Sequence, residues 1–342
     1  MAETTLTPPA ADASPAPAAE PARARPSWLG SFTTRFAVIG VWILLVIVFG
    51  ALRPDTFLTA GSFQTIFGGQ TQQALVFMCA ALLCTILVGE FVDMSVASNF
   101  GMAAIVASVL TVNHDVNVWV AALIALVIST VVGLVNGFLV VKMGVNTIVV
   151  TLGMSTLLLG LAQWMANLMP VSGLPKSFSN LALTKILGLP TSFYFGVILM
   201  LVFAYVLKFT PLGRNMRFVG ENREVSRLAG VRVTRVRIGA FTVAGVIAGL
   251  GGIISASATG GFDPSTSQMY LMPMFAATFL GTAILQPGRF TPLGTLLAVY
   301  FLATGVLGLQ LLGATAWVSN VFYGGVLVIA VTLTTILARR QR

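Results

Sequence analysis

The sequence predicts an all-α, polytopic membrane protein with about ten transmembrane helices. Hydrophobic residues make up 57% of its 342 residues and charged residues only 8%, whereas soluble domains carry about 25% charged residues. Apolar stretches of about 20 residues, the length at which a helix crosses a bilayer, recur along the chain. The net charge of +9 therefore indicates loops held in the cytoplasm, where Lys and Arg concentrate, and not nucleic-acid binding.

The chain divides into a tail, a membrane region and a short end. Residues 1–34 are rich in Ala and Pro, a composition that cannot bury a core, so we expect a disordered cytoplasmic tail. The transmembrane domain is predicted over residues 35–338, and residues 339–342 form a cytoplasmic C-terminus. The predicted spans are 36–52, 70–89, 94–112, 117–140, 146–168, 191–209, 238–258, 269–286, 291–311 and 317–338.

The distribution of Lys and Arg orients these spans. With both termini in the cytoplasm, the cytoplasmic segments hold sixteen of the nineteen Lys and Arg residues, and the outer segments hold three. The inverted orientation would reverse this excess, contrary to the positive-inside rule. The most basic segment is the predicted cytoplasmic loop 210–237. Its seven arginines are Arg214, Arg217, Arg223, Arg227, Arg232, Arg235 and Arg237.

This cytoplasmic loop is predicted to contain one short amphipathic helix. Val225, Leu228 and Ala229 fall at positions i, i+3 and i+4, so they share one face. Asn222 suits the N-cap of such a helix. The candidate segment consists of Glu221, Asn222, Arg223, Glu224, Val225, Ser226, Arg227, Leu228, Ala229 and Gly230.

A helix of this length is marginal alone in water, so its apolar face needs a surface to cover it. The bilayer surface, the protein's own helix ends and a groove on a partner are the three alternatives. Arg223 falls away from the apolar face and is expected to be exposed, where an ion pair contributes only about 0–1 kcal/mol.

Two acidic residues, Glu90 and Asp93, lie between the second and third predicted spans. Three residues apart on a helix, they would share a face. Carboxylates deep in lipid are costly and usually functional, so one interpretation is a role toward a substrate or proton. Alternatively, Asp93 or Ser95 accepts the free amide donors of the next helix as a cap, or the pair lies in a short cytoplasmic turn.

Several uncharged polar side chains lie within the predicted spans. They can hydrogen-bond a polar solute, or they can satisfy one another between helices. The candidate translocation path is formed by Asp93, Ser95, Asn99, Asn136 and Thr151.

The sequence holds few residues that could carry covalent or metal chemistry. Cys79 and Cys84 lie five residues apart in one apolar segment and are expected to be buried, reduced thiols. His114 is the single histidine of the sequence. No metal site, catalytic triad or Walker motif (GxxxxGK followed by Ser or Thr) is predicted, so we expect neither catalytic residues nor a cofactor.

Three segments resemble a known family. Residues 133–154, GLVNGFLVVKMGVNTIVVTLGM, are similar to the family pattern GLxNGxLVxxxxxxPFIVTLGTM. Residues 210–238, TPLGRNMRFVGENREVSRLAGVRVTRVRI, are similar to TxxGRxxxAxGxNxxAAxxxGIxVxxxK, and residues 89–98, GEFVDMSVAS, resemble GGIDLSVGS. The family is the inner-membrane permease of bacterial ABC importers for ribose, xylose and related monosaccharides. This chain departs from the pattern at Glu90, where the family has glycine.

The resemblance implies the function and the partners. It implies a permease homodimer that imports a monosaccharide by alternating access, a cytoplasmic ABC ATPase that binds the ATP, and a periplasmic sugar-binding protein. By the match, residues 221–230 would dock on the ATPase. The alternative is an ion-driven secondary transporter for a small polar solute, which would be expected to have charges or broken helices at mid-membrane in two matching halves.

Overall fold

The computed structural model describes the backbone of residues 28–90 and 92–340, with side chains from residue 38 to residue 332 apart from 91 and 316. The described chain is mostly α-helical, which confirms the predicted all-α class. Residues 1–27 of the predicted tail lie outside the described residues, and the first helix already begins at Trp28, before the predicted boundary at residue 35.

The helices follow one another with short connections. The first nine are α1 (Trp28–Leu52), α2 (Pro54–Phe57), α3 (Ala60–Gly68), α4 (Gln70–Ile86), α5 (Ser95–Val112), α6 (Val118–Val141), α7 (Thr147–Met165), α8 (Lys176–Leu183) and α9 (Thr191–Phe209). The remaining seven are α10 (Pro211–Glu221), α11 (Arg223–Leu228), α12 (Val233–Thr259), α13 (Thr266–Met269), α14 (Leu271–Leu280), α15 (Pro292–Leu311) and α16 (Ala316–Arg340). The described residues also form four two-residue strands, β1 (Val171–Ser172), β2 (Lys185–Ile186), β3 (Leu189–Pro190) and β4 (Gly261–Phe262).

Seven helical segments of the described chain are long and apolar enough to cross a membrane. They are Ala60–Ile86, Ser95–Val112, Val118–Val141, Thr147–Met165, Thr191–Phe209, Val233–Thr259 and Pro292–Leu311. Two shorter apolar stretches, Val38–Leu52 and Trp317–Thr332, lie in α1 and α16. This set defines a polytopic membrane protein.

Side-chain caps set where several of these helices begin. The Asn117 side chain accepts a hydrogen bond at the start of α6, Asn146 at the start of α7 and Thr210 at the start of α10. The first amides of a helix lack partners within it, so a preceding Asn or Thr stabilises the start. These capping bonds therefore fix the residue at which each of the three helices begins.

The helix α12 lies at the centre and packs most extensively against α4, α5 and α6. Its contact with α6 is backbone to backbone, because a Cβ on Gly245 would lie 2.4 Å from the Ser129 carbonyl oxygen. A Cβ on Gly133 would lie equally close to the Phe241 carbonyl oxygen, at 2.4 Å. Small residues thus let these two helices approach as membrane helices commonly do.

The predicted span 269–286 is not one continuous helix. The four-residue α13 and the 10-residue α14 are followed by a short 3₁₀ helix, Gly281–Ala283. A helix of ten residues is about 15 Å long, roughly half of the bilayer's hydrocarbon core. The broken segment packs against α4, α15 and α16, and irregular backbone at membrane depth is tolerated where protein encloses it.

The loops gather at two ends of the helical bundle. At one end, β1 pairs antiparallel with β4, and Ser257 of α12 donates a hydrogen bond to the Phe178 carbonyl of α8. At the other end, a cavity of about 360 Å³ is lined by Leu87, Arg217 and Arg289, among others. We call this second end the basic end; it comprises residues 87–90, 142–146, 210–237 and 284–291.

The close contact between α6 and α12 predicts a selective sensitivity to one added methyl group. Gly245→Ala should destabilise the protein by about 1–3 kcal/mol, the usual cost of overpacking, because its Cβ meets the backbone of α6. Gly239→Ala is the matched control on α12, since a Cβ there meets no atom within 4 Å. Thermal unfolding in detergent measures both variants, and an equal midpoint for the two would contradict the proposed close packing.

Candidate functional site

The helix α4 ends inside the predicted span 70–89. Its last residue is Ile86, and Gly89 adopts a φ of 74°, a left-handed conformation that glycine tolerates without strain. We call residues 87–90 and 92–94 the junction; it joins α4 to α5. Glu90 and Asp93 therefore do not share a helix face, and that prediction was wrong because the chain turns between the two helices.

Asp93 binds the start of the next helix. Its Oδ1 accepts hydrogen bonds from the backbone amide of Ser95 at 2.9 Å and from the Ser95 hydroxyl at 2.7 Å. Asp93 thus gives the free amide of Ser95, the first residue of α5, an acceptor, and it does so from the position before the N-cap residue Met94, whose own side chain makes no capping bond. Burial raises the pKa of the Asp93 carboxyl, and the two hydrogen bonds from Ser95 oppose that shift.

Two further residues of the predicted path, Asn136 and Thr151, hydrogen-bond to the start of α5 and to the junction. Asn136 of α6 donates a hydrogen bond from Nδ2 to the Ser95 hydroxyl at 2.9 Å. Thr151 of α7 accepts one from the backbone amide of Met94 at 3.2 Å. Four predicted path residues, Asp93, Ser95, Asn136 and Thr151, are thus connected through the junction.

Asn99, the fifth predicted residue, lies one turn further along α5. Its Nδ2 donates to the Ser129 carbonyl of α6 at 3.2 Å. Within the described residues, the Oδ1 atoms of Asn99 and Asn136 and the Oγ of Ser129 are buried with no hydrogen-bond partner. Leaving buried polar atoms unpaired costs free energy, so these atoms are suited to bind a hydroxyl or a water.

The structure adds residues that the sequence reasoning missed. The hydroxyls of Ser98 and Ser155 lie 2.7 Å apart, and Gln268 donates from Nε2 to Ser98 at 2.7 Å. Ser95, Ser98 and Asn99 fall at i, i+3 and i+4 of one helix, which is the signal that would have found Ser98. We call the whole set the polar track; its members are Asp93, Ser95, Ser98, Asn99, Asn136, Thr151, Ser155 and Gln268.

Glu90 is the centre of an ion-pair cluster at the basic end. Its Oε1 accepts from Arg223 Nη2 at 3.1 Å and from Arg237 Nε, and its Oε2 accepts from the Thr147 hydroxyl at 3.2 Å. The Glu90 side chain is only 2% exposed. Arg223 was expected to be exposed and to contribute little. The Arg223 side chain is indeed 43% exposed, but its guanidinium also reaches the buried carboxylate of Glu90, a contact that the sequence reasoning did not foresee.

The basic loop is more helical than predicted. It forms two helices, α10 and α11, in place of the single helix expected. The Asn222 side chain accepts from the Val225 amide at 3.1 Å, which confirms its N-cap position. Gly230 has a φ of 82°, as suits a residue that follows the end of a helix.

The apolar face of α11 is uncovered in the described structure. The exposed fractions of Val225 and Leu228 are 60% and 82%, whereas Ser226, on another side of the helix, is 3% exposed. The protein's own helix ends therefore do not cover this face. A second ion pair on α11, between Arg227 and Glu224 at 2.9 Å, is also solvent-exposed.

Metal chemistry finds no support in the described part of the chain. Among its residues, no three His, Cys, Asp or Glu side chains cluster where they could hold an ion. Cys79 and Cys84 are buried and not joined in a disulfide. The polar track offers hydroxyls, amides and one carboxyl, groups that suit the binding of a polar solute.

Comparison with known proteins shows which family this sequence resembles. Residues 66–331 match the family described as branched-chain amino acid transport system / permease component. Over 319 residues the chain is 31% identical to the L-arabinose ABC transporter permease protein AraH of Azospirillum brasilense, an alignment that covers 93% of this chain and 92% of that protein.

Two further relatives are autoinducer 2 import system permeases. LsrC of Salmonella paratyphi B is 32% identical over 305 residues, covering 88% of this chain and 87% of that protein. LsrD of Photorhabdus temperata is 26% identical over 313 residues, covering 90% of this chain and 92% of that protein. No solved structure matches the chain.

A bundle of membrane-spanning helices around a buried polar track defines a membrane transport protein. The chain belongs to the family of the branched-chain amino acid transport system / permease component. It is a transmembrane permease subunit of an ABC importer and a multi-pass protein of the inner membrane. The sequence motifs indicated a similarity to ABC importer permeases, and these comparisons confirm it.

The contacts of Asp93 predict how its variants behave. Asp93→Asn should fold normally and keep much of the transport, because the amide oxygen still accepts from Ser95. Asp93→Leu should lose about 1–2 kcal/mol of stability with the cap. Yield of folded protein, thermal unfolding and transport in vesicles are measured for both. Normal folding of Asp93→Asn with abolished transport would instead identify an ion or proton site.

Proposed function

We propose that this chain imports a monosaccharide across the inner membrane by alternating access, driven by a separate cytoplasmic ABC ATPase. The observation that carries the proposal is the similarity over 93% of the chain to an L-arabinose permease. The polar track supports it, since each sugar hydroxyl both donates and accepts hydrogen bonds and needs matching hydroxyls and amides. The chain itself hydrolyses nothing, and ATP is bound by the partner subunit.

The proposed topology has ten crossings with both termini in the cytoplasm. Seven crossings are the long apolar helices, α1 and α16 supply two, and the broken segment around α14 supplies the tenth. The seven arginines of the loop lie at the basic end with Lys142 and Arg289, whereas Arg53, Lys176 and Lys185 lie in segments of the opposite end. The positive-inside rule then orients the basic end toward the cytoplasm.

The exposed face of α11 is the proposed docking element for the ATPase. A six-residue helix with apolar side chains in water is stable only when something covers it. In the proposed orientation the basic end, and α11 with it, lies on the side where ATP is available. A groove on the ATPase is therefore the proposed occupant, and the bilayer surface is the alternative that the experiment below distinguishes.

The remaining partners follow from the same arrangement. The opposite end, with the β1–β4 pair and α8, is the proposed contact for a periplasmic sugar-binding protein. The outward-facing apolar side chains of α6 and α9, such as Leu123, Val127 and Leu201, are exposed in the single chain. They suit contact with lipid or with a second permease copy in a homodimer.

The topology predicts opposite labelling of two exposed leucine positions. Single cysteines at Leu187, between β2 and β3, and at Leu228, in α11, should react from opposite sides of the membrane. In intact cells an impermeant maleimide should label Leu187→Cys, and Leu228→Cys only after lysis. Native Cys79 and Cys84 are buried and contribute little background. Labelling of Leu228→Cys in intact cells would overturn the orientation.

The docking of α11 is tested by Leu228→Asp. Burying this leucine should contribute about 1.5–3 kcal/mol, so the variant should bind the ATPase at least about tenfold more weakly. Leu187→Asp is the matched control, since Leu187 is 94% exposed but lies at the opposite end. Association is measured by co-purification in detergent. Unchanged association of Leu228→Asp would show that α11 does not dock on the ATPase.

The same preparation tests the driving force. Wild-type protein, reconstituted with the ATPase and the binding protein, should take up labelled L-arabinose or another monosaccharide only with ATP, and Leu228→Asp should lose that uptake. Vanadate, which inhibits ABC ATPases, should stop uptake, and a protonophore should not. Uptake that needs an ion gradient and persists without ATP would favour the secondary transporter.

A further inference from the structure

We propose that Glu90 is a positioning residue through which the basic loop controls the junction at the cytoplasmic end of the polar track. Arg223 of α11 and Arg237 of α12 hold its carboxylate, so that a displacement of α11 by a docked ATPase moves the junction. This inference rests on the proposed function, in which α11 docks on an ATPase.

The ion-pair cluster joins three helices to one side chain. Glu90 is 2% exposed, while the side chains of Arg237 and Arg223 are 15% and 43% exposed. With Thr147 the cluster links the junction to α7, α11 and α12. A buried charge without its partner is strongly disfavoured. The junction and the two arginines should therefore move together and not separate.

A second contact fixes the loop to the junction. A Cβ on Gly220, near the end of α10, would lie 2.3 Å from the Leu87 carbonyl oxygen, and a Cβ on Gly89 would lie 3.0 Å from the Gly220 carbonyl oxygen. The backbones are thus in direct contact, which the absence of side chains permits. Arg223 also donates a hydrogen bond to the Gly89 carbonyl. The loop therefore holds the junction by packing as well as by charge.

The junction is in turn bonded to the polar track. Asp93, three residues after Glu90, accepts from Ser95, and the Met94 amide donates to Thr151. A shift of the junction must change these bonds, and with them the start of α5. A cavity of about 310 Å³, lined by Glu90, Arg223 and other residues, gives the cluster room to rearrange.

The two arginines of α11 differ in what they reach. Arg227 pairs with Glu224, and the side chains of this pair are 71% and 74% exposed. Such a pair is screened by water and holds no other element of the protein. Arg223 spans from α11 to a carboxylate 133 residues earlier in the chain. Arg223 is therefore suited to carry a displacement of α11 into the membrane domain.

The test measures the junction while the ATPase stays bound. A reporter cysteine replaces Val92, a half-buried junction residue, in permease reconstituted with the ATPase that co-purifies with the wild-type chain. The rate of maleimide labelling is compared with and without trapping by ATP and vanadate. Trapping should change the rate by about three- to tenfold in the reporter protein, within the range that coupling residues modulate, and Arg223→Ala should abolish this change.

Further variants separate positioning from folding. Arg223→Lys keeps a cation near Glu90 and should restore part of the response, whereas Glu90→Gln removes the charge and should reduce it. Arg235→Ala, at an exposed position of α12, is the control and should respond like the parent. ATPase association is measured in each sample, and the labelling rates are compared at an ATPase concentration that saturates the permease, so that the junction response is read at equal occupancy.

The outcomes distinguish this inference from the proposed function. A normal labelling response in Arg223→Ala, with the ATPase bound, overturns the role of Glu90 and leaves docking intact. Loss of ATPase binding in Arg223→Ala also overturns it, because Arg223 would then act in docking itself. Failure of the parent protein to bind any ATPase contradicts the proposed function instead.

Discussion

A lipid bilayer offers no hydrogen-bond partners to backbone N–H and C=O groups, so the protein must satisfy them internally, and the architecture follows from that constraint. Continuous helices satisfy their own backbone, so they form the outer layer, where α6, α7 and α9 present apolar side chains outward. Where the chain departs from helix, at the junction and after α14, neighbouring helices enclose it. The central α12 makes this enclosure possible, because its glycines let α6 approach closely enough to exclude lipid from the polar interior.

The same constraint accounts for the position of the candidate functional residues, which lie where the chain departs from helical structure. The chain turn between α4 and α5 brings Glu90 and Asp93 to one end of the bundle, and each carboxyl finds a different set of partners. Glu90 pairs with arginines from the basic loop, whereas Asp93 bonds the first turn of α5. One short segment thus faces the basic loop on one side and the polar track on the other. An importer driven by ATP on a separate subunit requires a connection of this kind between its two working parts.

Sequence reasoning reaches the parts of this arrangement that depend on local pattern. Apolar length gave the long helices, the spacing of Val225, Leu228 and Ala229 gave the exposed face of α11, and Asn222 was identified as its cap. It failed where partners are far apart in sequence. Arg223 and Glu90 are separated by 133 residues, and neither segment contains a local pattern that predicts the ion pair. It also failed for the segment around α14, because hydropathy reports apolar content and not whether the helix is interrupted.

The short length of α11 bears on how this helix transmits a displacement in the proposed mechanism. Six residues cannot hold a helix in water by their own hydrogen bonds, so its orientation is set by what it contacts. The Asn222 cap and the buried Ser226 fix its start and its inner side, and Arg223 ties its first turn to Glu90. The apolar side chains are left free for a partner. A displacement of that outer face can reach the junction through Arg223, since this first residue of the helix is itself the contact with Glu90.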